Sequence, residues 1–433
     1  MSKNEPTAAP TQAQITRRLI IRTSILLLVI AALIYAFQYY RSVRSDLGGR
    51  ATSETAGLIA AIQYKKGGGQ EAVLFKPDGS IIRNEGWKEG VVDRDIAWTP
   101  DGNFLFFISD RADNVFHVMR WSPGSGNVEA RSIGSRGKSN PTFPVGDVPN
   151  ASKSSLVTSG GVVFDFEPSK PSMLQVLPPT ADEIVVTGME EGGGSESQFQ
   201  GYYGQLGQSF RIARWLNGKD WVAGVMKRDA GEILIIQNLV RREDGRLEPP
   251  RTITAGERVD FDVNPKTGGM VYSVVNFQWP DPERVPRQFV KGNRVTTPYR
   301  NMIGLVGTTE QETSGPVVVS NDDRTAFLSP RISPDGTTVL AVVGPYDRDS
   351  SSVQPQALVS MPAEVGGAQQ IRRLAVGEVY EPSWSPNGAK IAFARRQDGR
   401  RTIFTIDRDG GSERNVSGDQ GDFGWPLFSP QTQ

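Results

Sequence analysis

The sequence contains no cysteine and a single histidine, His117, in 433 residues. The first absence excludes disulfides, cysteine nucleophiles and thiolate metal sites. The second leaves one imidazole for any Ser-His-Asp machine and at most one histidine ligand for any metal. His117 sits inside the β-like run Val115–Trp121, on one sheet face with Val115 and Met119, and reads as an ordinary strand residue. Charge of one sign is also missing, with 48 basic against 48 acidic residues. No global field draws in nucleic acid or an acidic substrate. There is no G-x-S-x-G elbow and no P-loop. The runs Gly67–Gly69 and Gly192–Gly194 precede no helix and read as turns. Asp407-Arg408-Asp409-Gly410 comes nearest to a calcium loop, but it falls where a hairpin turn is needed. The residues thus give no catalytic set, no cofactor site and no metal site.

What is present is a recurring phrase. It reads WTPDG at Trp98–Gly102, ISPDG at Ile332–Gly336 and WSPNG at Trp384–Gly388. A β-rich run follows each copy: Phe104–Ile108, Thr338–Val343 and Lys390–Ala394. Proline presets φ, Asp or Asn bonds its own backbone, and glycine takes the left-handed position, so each phrase is a turn between strands. Recurrence at roughly 40–50 residues marks a propeller blade. Blades start near Asp93, Ser139, Ser209, Val259, Leu328 and Tyr380. The segment Gly57–Gly86 has the outer strands of a further blade but lacks the innermost one, and Phe423–Pro430 (FGWPLFSP) supplies it. Pairing of the two ends closes the ring and removes two open sheet edges. The expected fold is all-β, a propeller of about seven blades over residues 56–433, with six or eight as alternatives.

The N-terminus differs in kind. Residues 1–18 are polar and are expected to form a disordered cytoplasmic tail, and residues 19–40 contain the apolar run Thr23–Tyr40. About 17–20 such residues span a bilayer core. Tyr35, Tyr39 and Tyr40 stand at one end and Arg17, Arg18 and Arg22 at the other. No small-x-small cleavage site precedes Arg41, which favours a retained signal anchor over a cleaved signal peptide. Residues 41–55 form a tether.

The residue four before each Ser-Pro step begins an inner strand, so these residues share one mouth of the tunnel. They are Asp95, Ser139, Arg211, Asp260, Ser329, Glu381 and Trp425. Four of the seven are charged, where a strand interior prefers Val or Ile. The ring is either a solvated rim or a polar, mostly acidic collar that receives a partner segment or a cation. Two insertions interrupt the blades. Asp182–Gln208 is acidic and Gly-rich, with Tyr202 and Tyr203; Phe277–Arg300 carries Trp279, Arg287 and four other basic residues. They are tolerated surface loops or recognition loops, and their opposite charge makes mutual contact another option.

The phrase and its flanks resemble the WD40-like repeat of TolB-type β-propellers of the bacterial envelope. EPSWSPNGAKIAFARRQDGRRTIFTIDRDGGSERNV at Glu381–Val416 carries the resemblance, DIAWTPDGNFLFFISD at Asp95–Asp110 carries half a repeat, and Arg331–Val343 is looser. TolB-like proteins place an α/β domain before the propeller, and the short tether here leaves no room for one. The same repeats occur beside prolyl-oligopeptidase-type hydrolases, but this chain stops at ring closure. The resemblance implies a periplasmic module that engages other proteins at one face. The expectation is therefore a single-pass protein of the bacterial cytoplasmic membrane. It would be held in the bilayer by Thr23 to Tyr40, with the propeller outside the cytoplasm. It would bind envelope or membrane proteins as a non-catalytic scaffold or accessory subunit and take no nucleic acid, with room left for a small-molecule ligand. The alternative is a propeller enzyme or glycan-binding protein that uses acids at the mouth, such as Asp95, Asp260 and Glu381.

Overall fold

The computed structural model describes residues 55–133, 137–143, 155–159, 162–166, 172–176, 184–190, 197–201, 210–216, 221–228, 231–238, 250–264, 268–306, 324–347, 349–364 and 366–430. The expected membrane span Thr23–Tyr40 lies outside the described residues, as do Tyr202 and Tyr203. No helix among the described residues is long and apolar enough to cross a membrane.

The turn phrases form as their chemistry requires. The Ser or Thr hydroxyl donates to the Asp or Asn two residues on: Thr99 to Asp101 at 2.6 Å, Ser333 to Asp335 at 2.5 Å, Ser385 to Asn387 at 2.8 Å. The same hydroxyl accepts an amide at the start of the next strand: those of Thr338 and Lys390, its first residues, and that of Phe104, one residue before it. Gly102, Gly336 and Gly388 close the turns with φ of 67°, 75° and 69°, a region that costs an L residue strain.

These turns join antiparallel strands into blades. Asp93–Trp98 pairs with Leu105–Ser109, which pairs with His117–Trp121 and then Val128–Ala130. Val379–Trp384, Lys390–Gln397, Arg400–Asp407 and Arg414–Asn415 repeat the order. Strand Arg251–Val263 serves two blades. Its first half pairs with Gly231–Asn238 as an outer strand, and its second half pairs with Met270–Gln278 as an inner one. The exchange occurs at Gly256, where a Cβ would meet the Val275 carbonyl oxygen at 2.7 Å.

The innermost strands touch in succession. Asp93–Trp98 contacts Lys138–Thr142, which contacts Phe210–Trp215, then Arg251–Val263, Thr325–Ile332, Val379–Trp384 and Asp422–Phe428, which returns to Asp93–Trp98. Each blade is thereby covered on both faces by its neighbours. That is why Leu105–Ile108 is apolar without alternation and wholly buried. Indoles seal the blade boundaries: Trp98 donates to the Leu427 carbonyl at 3.2 Å and Trp384 to the Arg331 carbonyl at 3.4 Å.

The ends of the domain share one sheet, as expected. Asp422–Phe428 is the inner strand beside Ile59–Tyr64, followed by Gln70–Phe75 and Ile81–Arg83. The Ser429 amide donates to the Leu58 carbonyl at 2.9 Å, so the chain enters the ring on the face that carries the turns. Arg408 spans two blades on that face, donating to Asp335 at 2.6 Å and to the Thr337 hydroxyl at 2.8 Å. The arginine holds the Asp335 carboxyl well below the usual carboxylate range. The Asp407–Gly410 segment is the hairpin turn, with the Gly410 amide donating to the Asp407 carbonyl at 2.8 Å.

One sequence expectation is corrected. Asp182–Gln208 reads as a loop, yet Ile184–Glu190 is a strand paired to Ser172–Val176 and to Ser197–Gly201. The β-branched start of IVVTGME, rather than the neighbouring glycines and acids, sets its conformation.

Phe423 has no exposed surface and packs edge-on against Phe75 with ring centroids 5.0 Å apart. Phe423→Ala is expected to destabilise the domain by about 3–5 kcal/mol. Urea unfolding measures this. A loss under about 1 kcal/mol would mean that the last strand does not close the ring.

Candidate functional site at the mouth of the ring

Each inner strand begins at the end opposite the turns, and the ladder slips partway along it: Asp95, Ser329, Glu381 and Trp425, expected to begin these strands, lie two to four residues inside them. Register shifts fall between Arg94 and Ala97, Leu328 and Arg331, Tyr380 and Ser383, and at the matching place on Asp422–Phe428. The extra residue is left-handed in each: Asp95 at φ 53°, Ser329 at 47°, Glu381 at 53° and Trp425 at 57°. In the blade that starts near Ser139, the left-handed residue is Asn140, at φ 53°, rather than Ser139. Proline follows Asn140, Ser329, Glu381 and Trp425. A bulge leaves a residue without a ladder bond, so a proline there loses nothing.

The bulges leave amides without ladder partners, and carboxylates of the preceding blade accept three of them. Asn140 donates to Asp95 at 3.2 Å, Ser329 to Asp260 at 3.3 Å and Trp425 to Glu381 at 2.6 Å. Three acids assigned to the mouth from sequence are thus brought to one rim, each bonded to its neighbour.

Asp260 and Arg211 fill the slot differently. The ladder at Asp260 is unbroken. Its buried carboxylate accepts from Arg211 at 2.9 Å and Arg258 at 3.2 Å. Burial pushes this carboxyl up, but the two arginines outweigh it and hold it below the usual range. Arg211 is the extra residue between Phe210 and Ile212, and its guanidinium also donates to Glu232 at 2.6 Å. Burial alone lowers its pKa, but Asp260 and Glu232 reverse this and raise it.

Beside Glu381 the rim becomes aromatic and basic. Trp425 is 51% exposed, although it stands on an innermost strand. Arg401 lies over Tyr64 with its guanidinium carbon 4.4 Å from the ring centre, and over Tyr380 at 5.6 Å. Arg396 also approaches the Tyr380 ring, at 5.9 Å. Gly424 lets these groups meet, since a Cβ there would lie 2.8 Å from both the Glu381 carboxylate and the Tyr64 hydroxyl. Burial, chiefly, and then the Glu381 charge push the Tyr64 hydroxyl up to about 12. Burial pushes the Glu381 carboxyl up as well, against the Trp425 amide and Arg401.

The insertion Phe277–Arg300 leaves its blade at the mouth end of Met270–Gln278. It folds on its own aromatic cluster, in which Phe277 lies 5.3 Å from Trp279 and 4.8 Å from Tyr299. The Trp279 indole donates to the Thr296 carbonyl at 3.0 Å, so this tryptophan braces the insertion. Arg287 is exposed, as are Lys291 and Arg294 of the hairpin Val290–Lys291/Arg294–Val295. His117 is buried in its strand, with Nε2 3.0 Å from an Asp113 oxygen. Among the described residues no three acidic or histidine side chains cluster as a metal site would need.

Sequence reasoning missed Tyr64 and Arg401, which come from outer strands, Tyr380, which precedes Glu381 on its inner strand, and also Asp93. Asp93 is fully buried, receives Arg111 at 2.9 Å and accepts the Ala72 amide of the adjoining blade at 3.1 Å. Its place at the head of the DRDIAW strand was the one available signal.

No known protein family and no curated protein matches the sequence. Solved structures match the fold. TolB from Acinetobacter baumannii is 13% identical, with 87% of this chain and 68% of that one covered and a TM-score of 0.46. Oligogalacturonate lyase from Vibrio parahaemolyticus is 9% identical over 83% and 86%, with a TM-score of 0.47. A prolyl endopeptidase is 11% identical over 84% of this chain and 50% of its own, with a TM-score of 0.49. The chain is an all-β propeller, structurally similar to these.

The raised Glu381 carboxyl has a consequence for stability. The folded state holds this proton more tightly than the unfolded chain, so the Glu381 contribution is greatest in acid. It is lost as pH rises from about 4.3, the ordinary glutamate value, through the higher folded value. Glu381→Gln keeps an acceptor for the Trp425 amide and removes the titration. Its stability relative to wild type is expected to rise across that window in urea melts buffered at successive pH values. A constant difference would contradict the buried carboxyl.

Proposed function

We propose that this chain is a seven-bladed propeller anchored in the bacterial cytoplasmic membrane by Thr23 to Tyr40. It binds another envelope protein at its mouth, as a non-catalytic scaffold or accessory subunit. The observation that carries the reading is Trp425, half exposed on an innermost strand, with its amide on Glu381 beside the cluster of Arg401 with Tyr64 and Tyr380. Tryptophan, tyrosine and arginine dominate the energetics of protein interfaces, because they bring large rigid area and donor groups together. Leaving such a group in water serves no folding purpose.

The acids of the mouth support the same reading. Asp95, Asp260 and Glu381 are each bonded to a backbone amide of the next blade. An enzyme acid or base needs a free path to a substrate proton, whereas these groups hold the rim in shape. The succession of inner strands supports the blade number. The exposed Arg287, Lys291 and Arg294 extend the recognition surface from the same end.

The test is purification of the full-length chain in mild detergent, with mass spectrometry of what accompanies it. A stoichiometric envelope protein is expected. Trp425→Ala should fold normally and lose that partner about tenfold or more, the scale of an interface hot spot. A clean monomer, or a partner retained in full by Trp425→Ala, would overturn the reading.

A further inference from the structure

The insertion Phe277–Arg300 carries a small sheet of its own. Val290–Lys291 and Arg294–Val295 pair with each other and, among the described residues, with no other strand. Gly292, at φ 59°, turns the chain between them. A two-stranded hairpin is marginal in water and needs a surface to pack on. The aromatic cluster supplies one. The Phe289 ring lies 5.2 Å from Trp279, whose indole holds the Thr296 carbonyl at the base of the other strand. The Thr296 amide donates to the Phe289 carbonyl at 2.7 Å, one step behind the valines. The base of the hairpin is thus fixed, and its tip stands in water.

The composition of that tip works against the isolated hairpin. Val290 is opposite Val295 and Lys291 is opposite Arg294, so the valines share one face of the ribbon and the cations share the other. The valines are 43% and 54% exposed. Like charges directly opposite each other destabilise a strand pair. No acidic residue occurs between Arg284 and Arg300. Among the described residues, Arg284 alone of the cations in the insertion forms an ion pair, with Asp281. Positive charge is therefore concentrated here in a chain that is neutral as a whole.

We propose that this hairpin receives an extended acidic segment of a partner protein, added as a third strand along the exposed Arg294–Val295 edge. The Val290 amide is already taken by the Arg287 carbonyl, so the other edge is the open one. A strand added there alternates its side chains between the two faces. Acidic residues meet Lys291 and Arg294, and the aliphatic residues between them cover Val290 and Val295. The occupant is not a second copy of the hairpin, since edge cations repel one another. Nucleic acid does not fit, because the rings of the insertion pack on one another and offer no stacking platform for bases. An anionic membrane does not fit either, because two valines bring too little apolar area to hold in a bilayer. The inference rests on the reading of this chain as a binder of another protein, and it names the chemistry of that partner at a second point, apart from Trp425.

The experiment uses the full-length protein in detergent and fluorescently labelled peptides, read by anisotropy at two salt concentrations. The probe is acetyl-Glu-Val-Glu-Val-Glu-amide. It is compared with the block isomer acetyl-Glu-Glu-Glu-Val-Val-amide and with the basic analogue acetyl-Lys-Val-Lys-Val-Lys-amide. The alternating acidic peptide is expected to bind, less tightly as salt rises. The block isomer should bind about fivefold more weakly, the scale of two lost cross-strand contacts, and the basic analogue should not bind. The double variant Lys291→Ala with Arg294→Ala should weaken the acidic peptide about tenfold, the scale of two exposed ion pairs. Lys291→Glu with Arg294→Glu should lose the acidic peptide and take up the basic one, an exchange that an unfolded chain would not show. No binding of the acidic peptide, equal binding of the block isomer, or acidic binding that survives the charge reversal overturns the inference. Tighter binding of a single-stranded oligonucleotide or of phosphatidylglycerol vesicles overturns it as well. Trp425→Ala should leave the peptide response unchanged, so a failure at the hairpin is distinguishable from a failure at the mouth.

Discussion

A strand that accepts a left-handed residue gives up a ladder bond and pays about 1–2 kcal/mol of backbone strain. The inner strands of this ring do so at Asp95, Asn140, Ser329, Glu381 and Trp425. What makes the bulge tolerable is the carboxylate that accepts the freed amide from the preceding blade, as at Asn140, Ser329 and Trp425. A hydrogen bond to a charged group contributes about 1.5–3 kcal/mol, so the bond and the strain are of one size. The rim is therefore held by matched opposing terms, and its acids are structural before they are anything else.

The two faces of the ring do different work. On the turn face, hydroxyl-capped turns, the Arg408 bridge and the entry of the chain consume the polar groups locally. At the mouth, bulges turn strands aside, and side chains stay in water that a regular strand would bury. Trp425 is the clearest case, with Gly424 beside it making room for Glu381 and Tyr64. Under the proposed function this exposed tryptophan is the group that a protein partner would cover.

The fold was legible in the sequence because its turns are local chemistry. Ser-Pro-Asp-Gly specifies hydroxyl, φ and glycine within five residues, and FGWPLFSP at the end repeats the phrase that the first blade lacks. The positions at the mouth were legible for the same reason, counted back from each turn. Counting failed by one at Asn140, where Phe143 replaces the hydroxyl residue of the phrase. What those acids bond to was not legible. The Glu381 carboxylate meets an amide 44 residues away, and Asp260 meets one 69 residues away, across blade boundaries that no local pattern encodes. The Tyr64, Tyr380 and Arg401 cluster was hidden likewise, since its members come from strands of two different blades and read as ordinary strand residues until the ring closes.

The central claim is that a carboxylate of one blade holds the bulge of the next. Hydrogen exchange at the Trp425 amide tests it most directly, since that residue is exposed and would otherwise exchange quickly. The account predicts slow exchange in the native protein and an acceleration of about tenfold to a hundredfold in Glu381→Ala, with the Asn140 amide unchanged. Fast exchange in the native protein, or exchange that Glu381→Ala does not alter, would contradict it.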